Sequence, residues 1–351
     1  MTPWMDGMRP LTRIALVLQI LLTACALAAP QETLRPIALV DLPGIPGFDE
    51  VVFANGALVL THNSANTVDI VDPVKRRLVA QIKGIDSPKG LAVDAAGGLL
   101  YVAASGNNTI NVVSTADWKV VGVLGLRNSP DRILYVPQMK SLLIASPMGR
   151  TVSVVSTESV QKIAPNSMSE LASFDVQGRP QDIAWDPQQK LAYVTLEDTN
   201  EVISLNPANP ESPVTRRSKL TASQPTAILF EPNSRRLFVA VRYAVLQLDA
   251  ETGAETARVA AAPGTDSLWL DLSNNNLFAA ASDGTVTVMN VGARRLDLRG
   301  EFKGDVRGHA LAYDPANHLV FLTGGREGKS KMLVLRNISG IPAVESVNAK
   351  K

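Results

Sequence analysis

Polar residues recur along this 351-residue chain, each just before a short apolar segment and 40 to 50 residues after the previous copy. The first recurring position carries Asp49, Lys89, Asp131, Gln181, Thr226, Asp266 and His309. The next position carries Glu50, Gly90, Arg132, Asp182, Ala227, Ser267 and Ala310. The apolar residues that follow are similar in every copy, whereas these two positions vary. This variation favours a function for them beyond structure.

Two kinds of binding and one kind of catalysis fit these residue types. Carboxylates predominate, and they are the oxygen ligands that a hard divalent cation prefers; they belong to Asp49, Glu50, Asp131, Asp182 and Asp266. Lys89, Arg132 and His309 could hold an anionic group. His309 is also the best candidate for acid–base catalysis, because histidine side chains titrate near neutral pH. Its carboxylate partner would be Asp266 or Asp49.

Each recurring residue opens a unit of four short strands. In the copy over residues 87–124 the predicted strands are Lys89–Asp94, Leu99–Ala103, Thr109–Val113 and Lys119–Leu124, separated by turns rich in Gly, Asn, Asp and Ser. Apolar residues are consecutive in the first strands, so both faces of those strands must be buried. Stacking the units in a ring buries both faces, and the spacing is typical of a propeller blade. The sequence therefore predicts an all-β fold, a single seven-bladed β-propeller of four-stranded blades over residues 29–351 with a short C-terminal tail.

The innermost strands of a propeller start at one mouth of the central channel, so the recurring residues should converge there. The predicted ligand-binding residues are Asp49, Glu50, Lys89, Asp131, Arg132, Gln181, Asp182, Asp266 and His309. The competing interpretation is a solvated channel mouth whose charges neutralise each other. No cofactor is predicted, apart from a divalent cation that this mouth could hold. The remaining histidines, His62 and His318, are predicted to lie in turns.

The segment Pro36–Leu42 resembles the fourth strands of the other units, whereas the seventh unit has no clear fourth strand of its own. We therefore predict that this N-terminal strand completes the seventh blade and closes the ring. The alternative is that Ala343–Val347 fills the position and Pro36–Leu42 forms a surface arm.

The N-terminus has the features of a secretory signal peptide, with Arg9 and Arg13 before the apolar run Ile14–Ala24. Residues 26–28 (Ala-Leu-Ala) predict cleavage after residue 28, whereas residues 22–25 resemble a bacterial lipobox that would make Cys25 the lipidated first residue. Both alternatives place the protein outside the cytoplasm, in the periplasm or anchored to the outer membrane. Cys25 is the single cysteine, which excludes a disulfide framework within the chain.

The net charge of the chain indicates whether nucleic acid or an anionic membrane is an expected partner. Without residues 1–28 the chain has 32 basic and 32 acidic residues. A neutral domain lacks the positive field that attracts nucleic acid or an anionic membrane. Nucleic acid is therefore not an expected partner, and contact with the membrane is expected only through a lipid anchor.

Three segments carry a resemblance to a known family: YVAASGNNTINVVST, LIASPMGRTVSVVST and YVTLEDTNEVISLN. They resemble the YVTN repeat of bacterial and archaeal β-propeller proteins, and SPKGLAVD and RPQDIAWDP match the segment that precedes it. The resemblance covers residues 36–337. It implies an exported or surface protein, YncE-like, related in fold to lactonases and to the β chains of quinoprotein amine dehydrogenases. Ala104, Leu196 or His62 stands where the motif usually has Asn.

The leading functional hypothesis is a monomeric, non-catalytic binding or scaffold protein that holds a small polar ligand or an envelope protein at the channel mouth. The alternative is a propeller enzyme of lactonase or quinoprotein-dehydrogenase type that uses His309 and Asp266. A nucleic-acid-binding propeller is the third hypothesis. P-loop, G-x-S-x-G, H-E-x-x-H and C-x-x-C-H motifs are absent from the sequence, which favours a binding protein over an enzyme.

Overall fold

The computed structural model describes residues 32–158, 170–292 and 295–339. In these ranges 28 strands form seven antiparallel sheets of four strands each, and two short 3₁₀ turns, Asn63–Ala65 and Pro137–Met139, are the other regular elements. The predicted all-β, seven-bladed propeller is confirmed. The proposed signal peptide, Cys25 and Ala343–Val347 lie outside the described residues. No helix in the described part of the chain has the length and apolarity to cross a membrane.

We number the sheets as blades 1 to 7 in chain order. The strands up to the end of blade 3 are β1 (Leu34–Asp41), β2 (Phe48–Ala54), β3 (Ala57–His62), β4 (Thr67–Asp72), β5 (Arg77–Lys83), β6 (Pro88–Asp94), β7 (Leu99–Ala104), β8 (Thr109–Ser114), β9 (Val120–Gly125), β10 (Ile133–Val136), β11 (Ser141–Ser146), β12 (Thr151–Ser156) and β13 (Glu170–Asp175). The strands of blades 4 to 7 are β14 (Pro180–Asp186), β15 (Leu191–Leu196), β16 (Glu201–Leu205), β17 (Val214–Lys219), β18 (Ile228–Glu231), β19 (Arg236–Val241), β20 (Ala244–Asp249), β21 (Glu255–Ala260), β22 (Thr265–Asp271), β23 (Asn276–Ala281), β24 (Thr285–Val291), β25 (Leu296–Lys303), β26 (Arg307–Asp314), β27 (Leu319–Arg326) and β28 (Lys329–Asn337).

The first strand of each blade contacts the first strands of both neighbouring blades, which closes a ring around the channel. The core lies between adjacent sheets in seven apolar clusters. In one of them Val59 and Ile70 of blade 1 pack with Leu100 of blade 2, and all three are fully buried. Both faces of the second and third strands are therefore covered. The prediction that the first strands are buried on both faces was wrong: four of the seven residues of β22, for example, are only partly buried, because the first strands line the central cavity.

Blade 7 takes its outermost strand from the N-terminal part of the chain. Strand β1 pairs antiparallel with β28, from Leu34 opposite Asn337 to Asp41 opposite Lys331, with a bulge after Pro36. The order of the sheet is β26-β27-β28-β1. The segment after β1 then leads directly into β2, so strands from both ends of the described chain hold blade 7 together.

Adjacent first strands approach closely at the channel mouth. The backbone N–H of Gly90 donates a hydrogen bond to the Asp131 carbonyl, 2.8 Å away on the next blade. A Cβ atom at residue 90 would collide with that same carbonyl oxygen. Glycine is therefore required here for two blades to meet, which explains why this copy has no side chain at the second recurring position.

Candidate ligand site at the channel mouth

A cavity of about 380 Å³ occupies the central channel and is lined by residues from the first strands of all seven blades. Its charged lining residues all belong to the two recurring positions: Asp49, Glu50, Arg132, Asp182 and Asp266. The rest of the lining is apolar, apart from Ser267. The other four predicted residues, Lys89, Asp131, Gln181 and His309, do not line the cavity; because they occupy the same recurring position as Asp49 and Asp266, we infer that they lie at its rim. We call this end of the cavity the channel mouth.

Arg132 forms an ion-pair network across the mouth. Its Nη1 atom lies 2.8 Å from Glu50 Oε1 on blade 1, and its Nε atom lies 3.3 Å from Asp182 Oδ1 on blade 4. All three side chains are less than one fifth exposed. The network therefore joins three blades.

The second carboxylate oxygens of this network reach two further blades. Glu50 Oε2 accepts a hydrogen bond from the Leu91 N–H at 2.6 Å, and Asp182 Oδ2 accepts one from the Ile228 N–H at 2.9 Å. Burial raises the pKa of Glu50 to about 7 against the opposing attraction of Arg132. Burial also raises the pKa of Asp182. Glu50, Arg132 and Asp182 thus use their hydrogen bonds and ion pairs to join neighbouring blades.

A second ion pair occupies the rim. Lys89 Nζ lies 2.6 Å from Asp131 Oδ2, and both side chains are more than one quarter exposed. Burial opposes the charged amine, but the nearby Asp131 carboxylate outweighs it and holds the pKa of Lys89 above its usual value. The Gln181 amide donates to Glu197 Oε2 at 2.9 Å. These three residues thus have partners within the protein.

Asp49, His309 and Asp266 stand on the consecutive blades 1, 7 and 6. No hydrogen bond or ion pair to the Asp49 carboxylate forms from the described residues, and the imidazole of His309 lies beside Asp266, with Nε2 3.7 Å from Oδ2. Burial, with the charge of Asp131, raises the pKa of Asp49. Although the Asp266 carboxylate is about two fifths exposed, its position within the channel mouth partly desolvates it and, with the charge of Asp49, raises its pKa to about 6 against the opposing effects of His309 and Arg132. Asp49 and Asp266 are therefore the carboxylates of the mouth best placed to receive a positive charge from outside.

The distance between His309 and Asp266 determines whether the two side chains can exchange a proton directly. At 3.7 Å the two atoms are beyond hydrogen-bond distance. The imidazole is about one fifth exposed and the carboxylate about two fifths exposed, so water reaches both. Proton transfer through this pair would need a bound molecule that draws the two groups together.

A metal ion at the mouth would require several of these side chains to converge on one position. Within residues 32–158, 170–292 and 295–339, no group of three or more His, Cys, Asp or Glu side chains converges as metal ligands do. Arg132 lies between two of the carboxylates. A divalent cation at the mouth stays a prediction.

The prediction that His62 is a turn residue was wrong. His62 ends β3 and its side chain is fully buried, with Nδ1 2.9 Å from Asp69 Oδ2 and Nε2 2.7 Å from the Ile45 carbonyl. Phe48 stacks on the imidazole at 4.2 Å between centroids. Burial lowers the pKa of His62, but its bonds to Asp69 and Ile45 outweigh burial and raise it overall. The signal in the sequence was Asp69, a carboxylate between the apolar residues Val68 and Ile70 of the third strand, whose burial requires a partner.

No protein-family model matches the sequence, and no curated protein matches it. Solved structures do resemble it. A chain of the Kuenenia stuttgartiensis hydrazine synthase superimposes with a TM-score of 0.70 at 14% identity, covering 84% of this chain and 97% of that one. A chain from the crystal structure of the mitotic checkpoint complex gives a TM-score of 0.71 at 12% identity, covering 95% of this chain and 96% of that one. At such identities the similarity shows the propeller fold alone.

Proposed function

We propose that this protein is a non-catalytic binding propeller of the exported YVTN-repeat type. Its channel mouth holds a small cationic ligand or a cationic side chain of an envelope protein. The observation that carries this proposal is the pair Asp49 and Asp266, two carboxylates at the mouth of a closed ring whose nearby cations are engaged elsewhere or lie beyond hydrogen-bond distance.

Charge at the mouth favours a cation over an anion. Five carboxylates face two permanent cations, and both Lys89 and Arg132 are already paired. A cationic group placed between Asp49 and Asp266 would offset the repulsion between them, which adds to the effect of burial in raising the pKa of Asp266. Hydrogen bonds to charged groups contribute about 1.5–3 kcal/mol each, so a cationic group that contacts both carboxylates would bind more tightly than one that contacts a single carboxylate.

The scaffold suits binding. The ring of first strands fixes the backbone of every mouth residue, and the Arg132 network ties five blades together around the site. A preorganised site binds with little loss of conformational entropy. The similar chain from the mitotic checkpoint complex belongs to a protein complex, which agrees with a protein partner as one form of the ligand.

An enzyme of lactonase or quinoprotein-dehydrogenase type remains the second candidate because His309 and Asp266 share the rim. It requires a bound substrate that brings the two side chains into hydrogen-bond contact. The variants His309→Ala and Asp266→Asn, assayed for lactone hydrolysis and for dye reduction, test it. Turnover by the wild type that both variants lose would establish the enzyme and overturn the non-catalytic proposal.

Isothermal titration calorimetry of the purified protein tests binding directly. The probes are n-butylamine, N-acetyl-lysine amide and Ca²⁺, with n-butanol as the neutral control. Compared with the wild type, the double variant Asp49→Asn/Asp266→Asn should bind the cationic probes at least tenfold more weakly. The double variant Asp297→Asn/Asp305→Asn removes the same charge outside the channel and should bind normally. Equal affinity in both variants, or no binding of any cationic probe, would overturn the proposal.

A further inference from the structure

We infer that the channel ligand is an organic amine with an apolar body: its ammonium group lies at Asp49 and Asp266, and its apolar part extends into the channel. This inference rests on the proposed function and names the chemical class of its ligand. It excludes a hydrated metal ion, which would use the mouth but not the channel behind it.

The first observation is the change of chemistry along the cavity. The charges are confined to the starts of the first strands, and the wall beyond them is formed by residues such as Leu134, Leu229, Trp269 and Leu270. These four side chains are partly exposed, whereas the apolar residues between the sheets are buried. Trp269 packs against two core clusters and also lines the cavity. The channel therefore presents apolar surface that a ligand could cover.

The second observation is an open route from the mouth to this wall. On blades 1, 3 and 4 the second recurring position carries the ion-pair network of Glu50, Arg132 and Asp182. Blades 5 and 6 carry the small residues Ala227 and Ser267 at the same position, and both line the cavity. Asp266 and Ser267 both line the cavity on blade 6. A chain attached to an ammonium group at Asp266 can thus pass beside the network.

The third observation is size. The cavity of about 380 Å³ lies at the lower end of the range of small-molecule sites, about 300–1,000 Å³. A bare cation would leave most of this volume without contact. An amine with a short aliphatic or aromatic body would use both the carboxylates and the apolar wall.

A series of n-alkylamines from ethylamine to hexylamine, titrated into the purified wild-type protein, tests the inference. Burial of each methylene group should lower the dissociation constant about fourfold until the channel is filled. The substitution Leu229→Gln keeps a side chain of similar length but makes the wall polar. It should flatten this dependence on chain length, whereas Leu39→Gln, at an exposed position of β1, is the matched control and should keep it.

The outcomes separate the apolar-body inference from the proposed cationic site. If all amines bind with the same affinity, and Asp49→Asn/Asp266→Asn weakens them all, the inference about the apolar body is wrong and the proposed cationic site stands. Ca²⁺ binding without amine binding would likewise overturn the apolar body and leave the cationic site standing. If the double variant weakens neither Ca²⁺ nor amine, the proposed function itself is wrong.

Discussion

Removal of the Arg132 side chain tests whether the mouth network holds the blades together. In Arg132→Met the carboxylates of Glu50 and Asp182 lose their shared cation while each keeps a backbone N–H donor. Breaking a fully buried ion pair costs about 3–5 kcal/mol. These side chains are 15–19% exposed, so we expect the free energy of unfolding at pH 8 to fall by about 2–4 kcal/mol.

The pH dependence makes this prediction specific. With a pKa of about 7, Glu50 is ionised at pH 8 and neutral at pH 5, where Arg132 has lost one of its two charged partners. Loss of Arg132 should therefore cost roughly half as much at pH 5. Urea denaturation of the wild type and variant at both pH values measures the difference.

Two controls complete the experiment. The triple variant Arg132→Met/Glu50→Gln/Asp182→Asn leaves no unpaired charge and should recover at least half of the lost stability. Arg150→Met breaks an exposed pair with Asp198 and should cost less than about 1 kcal/mol. A loss in Arg132→Met below about 1 kcal/mol, or one equal at both pH values, would refute the role of the network.

Three further predictions concern other contacts. Hydrogen bonds to Asp69 and Ile45 raise the pKa of His62, so the contribution of His62 to stability is complete below its ordinary pKa and is lost as pH rises through the raised value. Urea denaturation from pH 5 to 9 should show this loss of stability in the wild type and in the exposed control His318→Gln. The same loss in His62→Gln would contradict the assignment. Binding of n-butylamine should weaken as pH falls through about 6, where Asp266 becomes protonated, and calorimetry that finds constant affinity from pH 7.5 to 5 would exclude Asp266 as a ligand. Leu34→Ala in the ring-closing β1 should lower the free energy of unfolding by about 2–4 kcal/mol, because Leu34 is buried in the cluster between blades 6 and 7. Leu39, on the same strand, is 40% exposed, so Leu39→Ala should lower it by less than about 1 kcal/mol. Equal losses of the two variants in urea denaturation would argue against closure by β1.

The fold was predictable because the same local pattern occurs seven times. Consecutive apolar residues in strands such as β3 and β7 demand burial on both faces, and a ring of sheets meets that demand without a long exposed edge. The predicted bounds agree with the structure to within one or two residues; Lys89–Asp94, for example, is β6 (Pro88–Asp94). The pattern could also place the recurring positions at one mouth, because they share a register with the strands.

The bonding within the mouth was not predictable in the same way. Arg132 reaches carboxylates on blades 1 and 4, and no spacing along the chain indicates which of five carboxylates it will choose. The sequence pattern also makes all nine polar residues equivalent, whereas the structure separates Glu50 and Asp182, bonded to neighbouring blades, from Asp49 and Asp266. Such choices depend on side-chain geometry across the ring.

The central claim is that Asp49 and Asp266 receive an ammonium group whose apolar body lies in the channel. A crystal structure of the protein with n-hexylamine tests it most directly. We predict the amine nitrogen within hydrogen-bond distance of both carboxylates and the alkyl chain against Leu229 and Leu270. A channel that stays empty at saturating amine, or an amine bound elsewhere on the propeller, would contradict the claim.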